Sequence, residues 1–218
     1  MPDLTRIEGI GAPLPTPNLD TDQIMPKQFL RGIDKSGLAQ GLLYDMRFDG
    51  AHQPRADFVL NRPEYRGTSI LVGGSNFGCG SSREHAVWGL QQYGIEAVIA
   101  SSYGEIFYSN AMNNRLLAVM LPEDAVQRIM ADIANPATGQ VTIDVERMTV
   151  RSHSVEAPFT LSERHRHMFL QGLDIIGATL EMQRQIEDFQ RGHWAARPWL
   201  KDIGHATRAR LEPSGLAA

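Results

Sequence analysis

Between residues 69 and 134 of the 218-residue chain, apolar positions fall into two patterns, short unbroken runs and runs recurring every three to four residues. Ser69-Ile70-Leu71-Val72 is unbroken, partly β-branched and ends at Gly73-Gly74, which marks a buried strand breaking into a loop. After a glycine-rich stretch, Ala86, Val87, Leu90 and Tyr93 recur at helical spacing, and Ser81 and Ser82 before them suit a helix N-cap. Residues 97–100 (Ala-Val-Ile-Ala) form a second apolar run. Residues 105–113 predict a helix with Ile106, Phe107 and Ala111 inward, and residues 116–120 a third strand closed by Pro122. Strand, helix, strand, helix, strand is the order of parallel α/β construction. Residues 124–134 continue at helical period and stop at Asn135-Pro136.

The flanks read differently. Before Gly67, Pro, Gly and Asp are frequent and apolar runs are short, so strands and loops are expected. Pro17 and Pro26 bracket Asn18-Leu19-Asp20-Thr21-Asp22 and stop a helix from running through it, which predicts a loop or strand end. Beyond 134, residues 141–145, 148–150 and 154–155 read as short antiparallel strands, and residues 162–170 and 180–192 as helices. After about Pro198 the period is lost and the chain is expected to fray. The sum is an α/β fold: a central, mostly parallel sheet with flanking helices and additional β structure. It is expected as one domain over residues 1–200 with a flexible tail over 201–218.

Composition narrows the function. A hydrophobic content of 42% suffices for one well-buried core. The net charge of -4 is spread without a basic run, so nucleic acid is not an expected partner. No stretch approaches the roughly 20 apolar residues of a membrane span, nor does the N-terminus look like a leader, so a soluble, unprocessed protein without a membrane partner is expected. Cys79 is the single cysteine, which excludes an internal disulfide and an iron–sulfur cluster held by this chain alone. A reducing cytoplasm fits this usage.

The chemistry concentrates in Gly73-Gly74-Ser75-Asn76-Phe77-Gly78-Cys79-Gly80-Ser81-Ser82-Arg83-Glu84-His85. Four glycines within eight positions let the backbone approach a ligand, and the helix that follows aims free N–H groups at the loop. An anion is the physical expectation. Arg83 adds a planar fork suited to a carboxylate, and no Lys-Ser/Thr pair follows the glycines, so the nucleotide P-loop pattern is not met. A plain strand-to-helix turn with a capped helix and a surface arginine would use the same residues.

The string Gly80-Ser81-Ser82-Arg83-Glu84-His85-Ala86, preceded by Asn76-Phe77-Gly78, resembles the fingerprint of the swivelling β/β/α C-terminal domain of the aconitase superfamily. Asp20-Thr21-Asp22-Gln23-Ile24-Met25-Pro26-Lys27 resembles the N-terminal motif of that family, and residues 103–110 its post-loop helix. Residues 172–180 resemble the C-terminal signature of isopropylmalate dehydratase small subunits. The resemblance implies a heteromeric hydro-lyase of leucine biosynthesis that isomerises 2-isopropylmalate to 3-isopropylmalate through isopropylmaleate. Such a chain is active only with a large subunit, in a heterodimer or heterotetramer, and the [4Fe–4S] cluster is expected on that large subunit. By the same resemblance Ser81 is the base, acting as an alkoxide. Asp22 holds Ser81 and the substrate region, and Arg83 and Ser82 bind the substrate carboxylate. The loop over residues 28–31 sets substrate choice, with Leu30 as a wall for the isopropyl methyls. Arg31 beside it leaves open a more polar substrate.

On the residues alone, Ser81 is equally a helix cap and Asp22 an Asx-turn residue. Two other functions stay open: a sister hydro-lyase acting on homoaconitate or a methyl-substituted malate, and a non-catalytic carboxylate-binding module. Other residues carry no assigned chemistry. Cys79 serves packing or loop geometry, His165 and His167 point to different faces of one helix, His85 is a surface or core histidine, and Glu84 returns a capping bond to the loop.

Overall fold

The computed structural model describes residues 4–30, 36–80 and 83–211, so Arg31, Ser81 and Ser82 lie outside the described residues. Among those described, seven strands make one sheet: β1 (Arg6–Leu14), β2 (Ile70–Gly73), β3 (Ala97–Ala100), β4 (Leu117–Met120), β5 (Gln140–Asp144), β6 (Thr149–Arg151) and β7 (Glu156–Pro158). Their spatial order is β4-β3-β2-β1-β5-β6-β7. The pairs from β4 to β1 are parallel and those from β1 to β7 antiparallel, so the sheet is partly rather than mostly parallel.

Strand β1 joins the two halves by splitting its length between them. Arg6 to Ile10 pair with Asp144 to Gln140 of β5, whereas Gly11 to Leu14 pair with Ile70 to Gly73 of β2. Its burial changes accordingly: exposed and buried residues alternate at Arg6, Ile7 and Glu8, and Gly11, Ala12 and Leu14 are all buried. Pro13 falls beyond the β5 ladder, where a missing N–H costs no cross-strand bond. In β2 and β3 every residue is buried, as expected for parallel strands covered on both faces.

Helix α3 (His85–Tyr93) connects β2 to β3, and α4 (Glu105–Asn113) connects β3 to β4. Both crossovers step the same way along the sheet, which puts the two helices on one face under the right-handed rule. Ala86, Val87 and Leu90 of α3 are buried as the spacing predicts. In α4, Phe107 and Ala111 are buried but Ile106 is half exposed, contrary to its predicted inward position; the neighbouring Phe107 takes the inward place. Helix α5 (Glu123–Ile133) returns across β3, β2 and β1 with Val126, Ile129 and Ile133 fully buried. Burying each such side chain contributes about 1.5–3 kcal/mol.

The segment before β2 contains two single-turn helices, α1 (Thr21–Ile24) and α2 (Tyr44–Arg47). The first corrects the expectation of loop or strand at 18–22. Pro17 and Pro26 do exclude a long helix, but one turn fits between them because Asp20 and Gln23 form a reciprocal capping box. After the sheet, α6 (Glu163–Leu170) is capped by Ser162 as predicted. The third β-hairpin strand lies at Glu156–Pro158 rather than at 154–155, because Ser152 and Ser154 are drawn into the preceding turn.

That turn is fastened to α5. The Asp132 carboxylate accepts hydrogen bonds from Ser152 Oγ (2.6 Å), Ser154 N (2.8 Å) and Ser154 Oγ (2.8 Å). Contacts divide the chain into two compact units, Met1–Ile175 and Ile176–Ala218. Helix α7 (Ile175–Leu180) begins at the boundary, and the second unit carries α8 (Gln183–Ala196), which answers to the helix predicted over 180–192, and α9 (Ile203–Leu211), a helix where the chain was expected to fray. Among the described residues no helix is long and apolar enough to cross a membrane.

The Asp132 clamp gives a pH-dependent prediction. Partial desolvation raises the Asp132 pKa, but the bonds from Ser152 and Ser154 and the nearby His153 together bring it below the ordinary value. A depressed folded-state pKa stabilises above the unfolded value of ~3.9 and loses that effect as pH falls through the folded value. Asp132→Ala should therefore cost about 1–2 kcal/mol in urea unfolding at pH 7, a figure already reduced for solvent access. The gap to wild type should narrow as the pH falls through the lowered folded-state pKa of Asp132.

Candidate functional site

The site forms where the parallel strands end. The chain leaving β1, the glycine-rich loop leaving β2 and the turn leaving β3 are tied together by backbone hydrogen bonds at this carboxyl edge, where ligands bind in open α/β sheets. Asn18 N donates to Ser75 O (2.8 Å), Gly78 N to Leu19 O (2.8 Å) and Thr21 N to Cys79 O (3.0 Å). On the other side Phe77 N donates to Ser102 O (3.0 Å) and Gly104 N to Phe77 O (2.9 Å). The glycine loop thus runs as a short extra strand between two neighbours, with isolated bridges at Asp20–Cys79 and Phe77–Tyr103.

Beneath it lies an aromatic floor. Phe77 meets Phe107 edge-on at 5.3 Å, and Tyr103 stacks on Phe107 at 6.2 Å. Burial, reinforced by neighbouring Tyr108, holds the Tyr103 hydroxyl well above the usual tyrosine range, so it stays a neutral donor to the strand carbonyls of Val98 and Val119. Two loop glycines are required by this packing. Gly78 (φ 72°) lies so close to the Phe107 ring that a Cβ would overlap it, and Gly80 (φ 83°) stands in the same relation to the Asp20 carboxylate.

This arrangement brings sequence-distant charges together. Arg83, at the entry to α3, donates to Asp22 Oδ1, and Lys27 Nζ lies 3.7 Å from Asp22 Oδ2. The Arg83 and Asp22 side chains are 27% and 35% exposed, so both are held in place yet open to a ligand. The Asp20 carboxylate lies at the same junction, so its two cations face two carboxylates, but a guanidinium has five donors, of which the ion pair with Asp22 uses only part. The junction can take a ligand carboxylate.

Two predicted site residues, Asp22 and Arg83, are therefore joined directly. Leu30 is half-buried against the core at the end of a 3₁₀ turn (Lys27–Phe29), with its N–H on Lys27 O at 3.1 Å. The ring of Phe29 packs 5.0 Å from Tyr44, fixing this turn to α2. Ser81, Ser82 and Arg31 fall outside the described residues.

The Glu84 carboxylate accepts from Asn114 Nδ2, and Asn114 in turn accepts from Trp88 Nε1 (3.0 Å), so it ties the start of α3 to the end of α4; the capping bond predicted from Glu84 to the loop falls outside the described residues. His85 rests on Trp88 with ring centroids 4.8 Å apart. Cys79 donates its thiol to Asn18 O at 3.2 Å, a loop role. Sequence reasoning missed Lys27 as a site cation and Asp20 as the support under Gly80. The Asp20-x-x-Gln23 spacing of a capping box was the available signal for the second.

A sequence profile of the aconitase C-terminal domain family matches residues 1–124. The 3-isopropylmalate dehydratase small subunit 1 of Chromobacterium violaceum is 68% identical over 207 residues, covering 95% of this chain and 98% of that protein. The chain belongs to the 3-isopropylmalate dehydratase small-subunit family. The small subunit of Phenylobacterium zucineum is 46% identical over 92% of this chain and 99% of its own length. A crystal structure of 3-isopropylmalate dehydratase from Methanocaldococcus jannaschii matches with a TM-score of 0.60 at 26% identity, over 85% of this chain and 99% of that one.

The small-subunit family is part of an enzyme that the sequence resemblance links to a [4Fe–4S] cluster. With one cysteine, and no group of three or more His, Cys, Asp or Glu side chains among the described residues able to hold a metal, the donor set here does not fit a cluster.

The loop junction predicts a steric coupling. Gly80→Ala should destabilise the chain by about 2–3 kcal/mol through backbone strain and overlap with Asp20. Combining it with Asp20→Ala should relieve the overlap, read as a double-variant loss of Tm smaller than the sum of the two single losses, since Asp20→Ala alone removes the α1 cap.

Proposed function

We propose that this chain works as the small subunit of 3-isopropylmalate dehydratase by supplying the base and the carboxylate clamp of a shared active site. The enzyme is a hydro-lyase of leucine biosynthesis. The observation that carries the division of labour is the Asp22–Arg83–Lys27 cluster at the glycine loop, a ligand-accessible junction in a chain where, among the described residues, no group of three or more His, Cys, Asp or Glu could hold a metal.

In the proposed reaction 2-isopropylmalate enters with one carboxylate on the free edge of Arg83. Ser81, two residues earlier, takes the proton from the carbon beside a carboxylate while the hydroxyl on the adjacent carbon, protonated by an acid that the large subunit would supply, departs as water and leaves isopropylmaleate. Water then adds back with hydroxyl and hydrogen exchanged between the two carbons, and Ser81 returns the proton. A serine alkoxide is a strong base that needs stabilising charge, and the loop N–H groups and Arg83 supply it. Asp22 keeps Arg83 in register with the loop and acts as a positioning residue. Ser82 adds a hydroxyl to the carboxylate site. Leu30 and Arg31 line the end that accepts the isopropyl group.

We place the iron–sulfur cluster on the large subunit and the assembled enzyme in the cytoplasm, as a heterodimer or a pair of them. The purified chain alone is inactive in this reading, and the co-purified pair turns over 2-isopropylmalate in preference to citrate or citramalate. Turnover by the single chain after reconstitution with iron and sulfide would overturn it.

Within the assembled enzyme, Ser81→Ala should lower kcat by ~100-fold or more with KM little changed, whereas Arg83→Lys loses the bidentate fork and should raise KM as well. A near wild-type kcat for Ser81→Ala would reduce the serine to a helix cap. Leu30→Ala should weaken discrimination between isopropylmalate and citramalate by ~1–3 kcal/mol in kcat/KM, because apolar pockets reward methyl groups weakly. An equal loss on both substrates would assign Leu30 to the scaffold.

A further inference from the structure

In the second unit none of the described residues 176–211 is buried, yet the segment is rich in large apolar side chains. Ile176 (65% exposed), Leu180 (58%), Met182 (50%), Ile186 (47%), Phe189 (71%) and Trp199 (69%) face solvent. Met182, Ile186 and Phe189 are spaced i, i+4, i+7, which places them on one stripe of α8. Two polar pairs of α8 lie within the helix itself: Gln183 Nε2 donates to Glu187 (2.9 Å), and Arg191 pairs with Asp188. The apolar stripe faces solvent beside them.

The five of these on or beside α7 and α8, Ile176, Leu180, Met182, Ile186 and Phe189, expose on the order of 500 Å² of apolar area. That is more than half of the ~800 Å² per partner in a standard interface. The segment also belongs to the shared body of the family rather than to an appendage. The small subunits of Phenylobacterium zucineum and Paracoccus denitrificans each match over 92% of this chain, and even if every omitted residue lay at the C-terminus the match would run past Ala196.

We infer that α7 and α8 are a docking element for the large subunit, which receives the Ile186–Phe189 stripe in an apolar groove. The inference rests on the subunit reading above, which supplies an obligatory partner, and adds the surface that partner covers. The segment lies far in sequence from Ser81 and Arg83, so its variants leave the chemical groups intact.

The test is binding of the full chain to the purified large subunit by calorimetry, with hydrogen exchange across residues 176–200 as a second readout. Ile186→Asp combined with Phe189→Asp should weaken binding at least 30-fold, and the wild-type α8 amides should gain protection only when the large subunit is added. Circular dichroism of the variant checks its helix content. Should that helix be lost, the milder Ile186→Ser and Phe189→Ser pair with the same exchange measurement decides the matter. If wild type binds and the variants bind equally, or α8 gains no protection, the docking surface is wrong and the subunit reading stands. Protection of α8 in the isolated chain with a dimeric mass, or on anionic vesicles, would also overturn it in favour of a second copy or a membrane. If wild type does not bind the large subunit at all, both readings fall together.

Discussion

Everything at the site depends on a few backbone hydrogen bonds between two loops that are about 60 residues apart in the chain. Gly78 N to Leu19 O and Thr21 N to Cys79 O make the glycine loop and the segment after β1 into a miniature parallel pair. Without that pairing Asp22 and Arg83 have no reason to meet, since neither is held by a long regular element: Asp22 lies in a four-residue helix and Arg83 precedes α3. Main-chain bonds are insensitive to side-chain identity, so the scaffold constrains the positions while the side chains decide the chemistry. The glycines are the exception. At 78 and 80 the absence of a side chain is itself what lets the loop close over Phe107 and Asp20.

The parallel half of the fold was legible because its signals are local. Ile70-Leu71-Val72 and Ala97-Val98-Ile99-Ala100 are buried on both faces and so read as unbroken apolar runs, and α3 and α5 carry clean helical periods. Strand β1 was not legible as the centre of the sheet. Its residues Gly9, Gly11, Ala12 and Pro13 have the composition of a loop, and they form a strand only because β2 and β5 supply partners on either side. Tertiary pairing overrides local preference there. The same cause explains the short helix at 21–24, which needs the capping box and the bond from Thr21 to Cys79 rather than any run of helix formers.

For the site, the glycine loop and Arg83 pointed to an anion from elementary reasoning. The pairing of Asp22 with Arg83 did not, because no local pattern encodes a contact across 61 positions. Asp22 entered through family resemblance as the residue holding Ser81 and the substrate region, and the structure pairs it with Arg83, with a second cation nearby. Glu84 makes a second contact that no local pattern encodes, since its carboxylate accepts from Asn114 at the end of another helix.

The seam position of β1 has a consequence for synthesis. Strand β1 leaves the ribosome before both of the strands it must sit between, whose pairing residues are Ile70 to Gly73 and Gln140 to Asp144. Until the first of these emerges β1 has nothing to pair with, and until the second does one of its edges stays open. Such non-local closure is slow, and an unpaired strand edge is a template for association with other chains. The glycines and proline that hid β1 from a sequence reading also make it a poor aggregating strand during that interval, since they lower its intrinsic tendency to extend and pair. The composition that obscures the element thus protects the nascent chain while it waits for its neighbours.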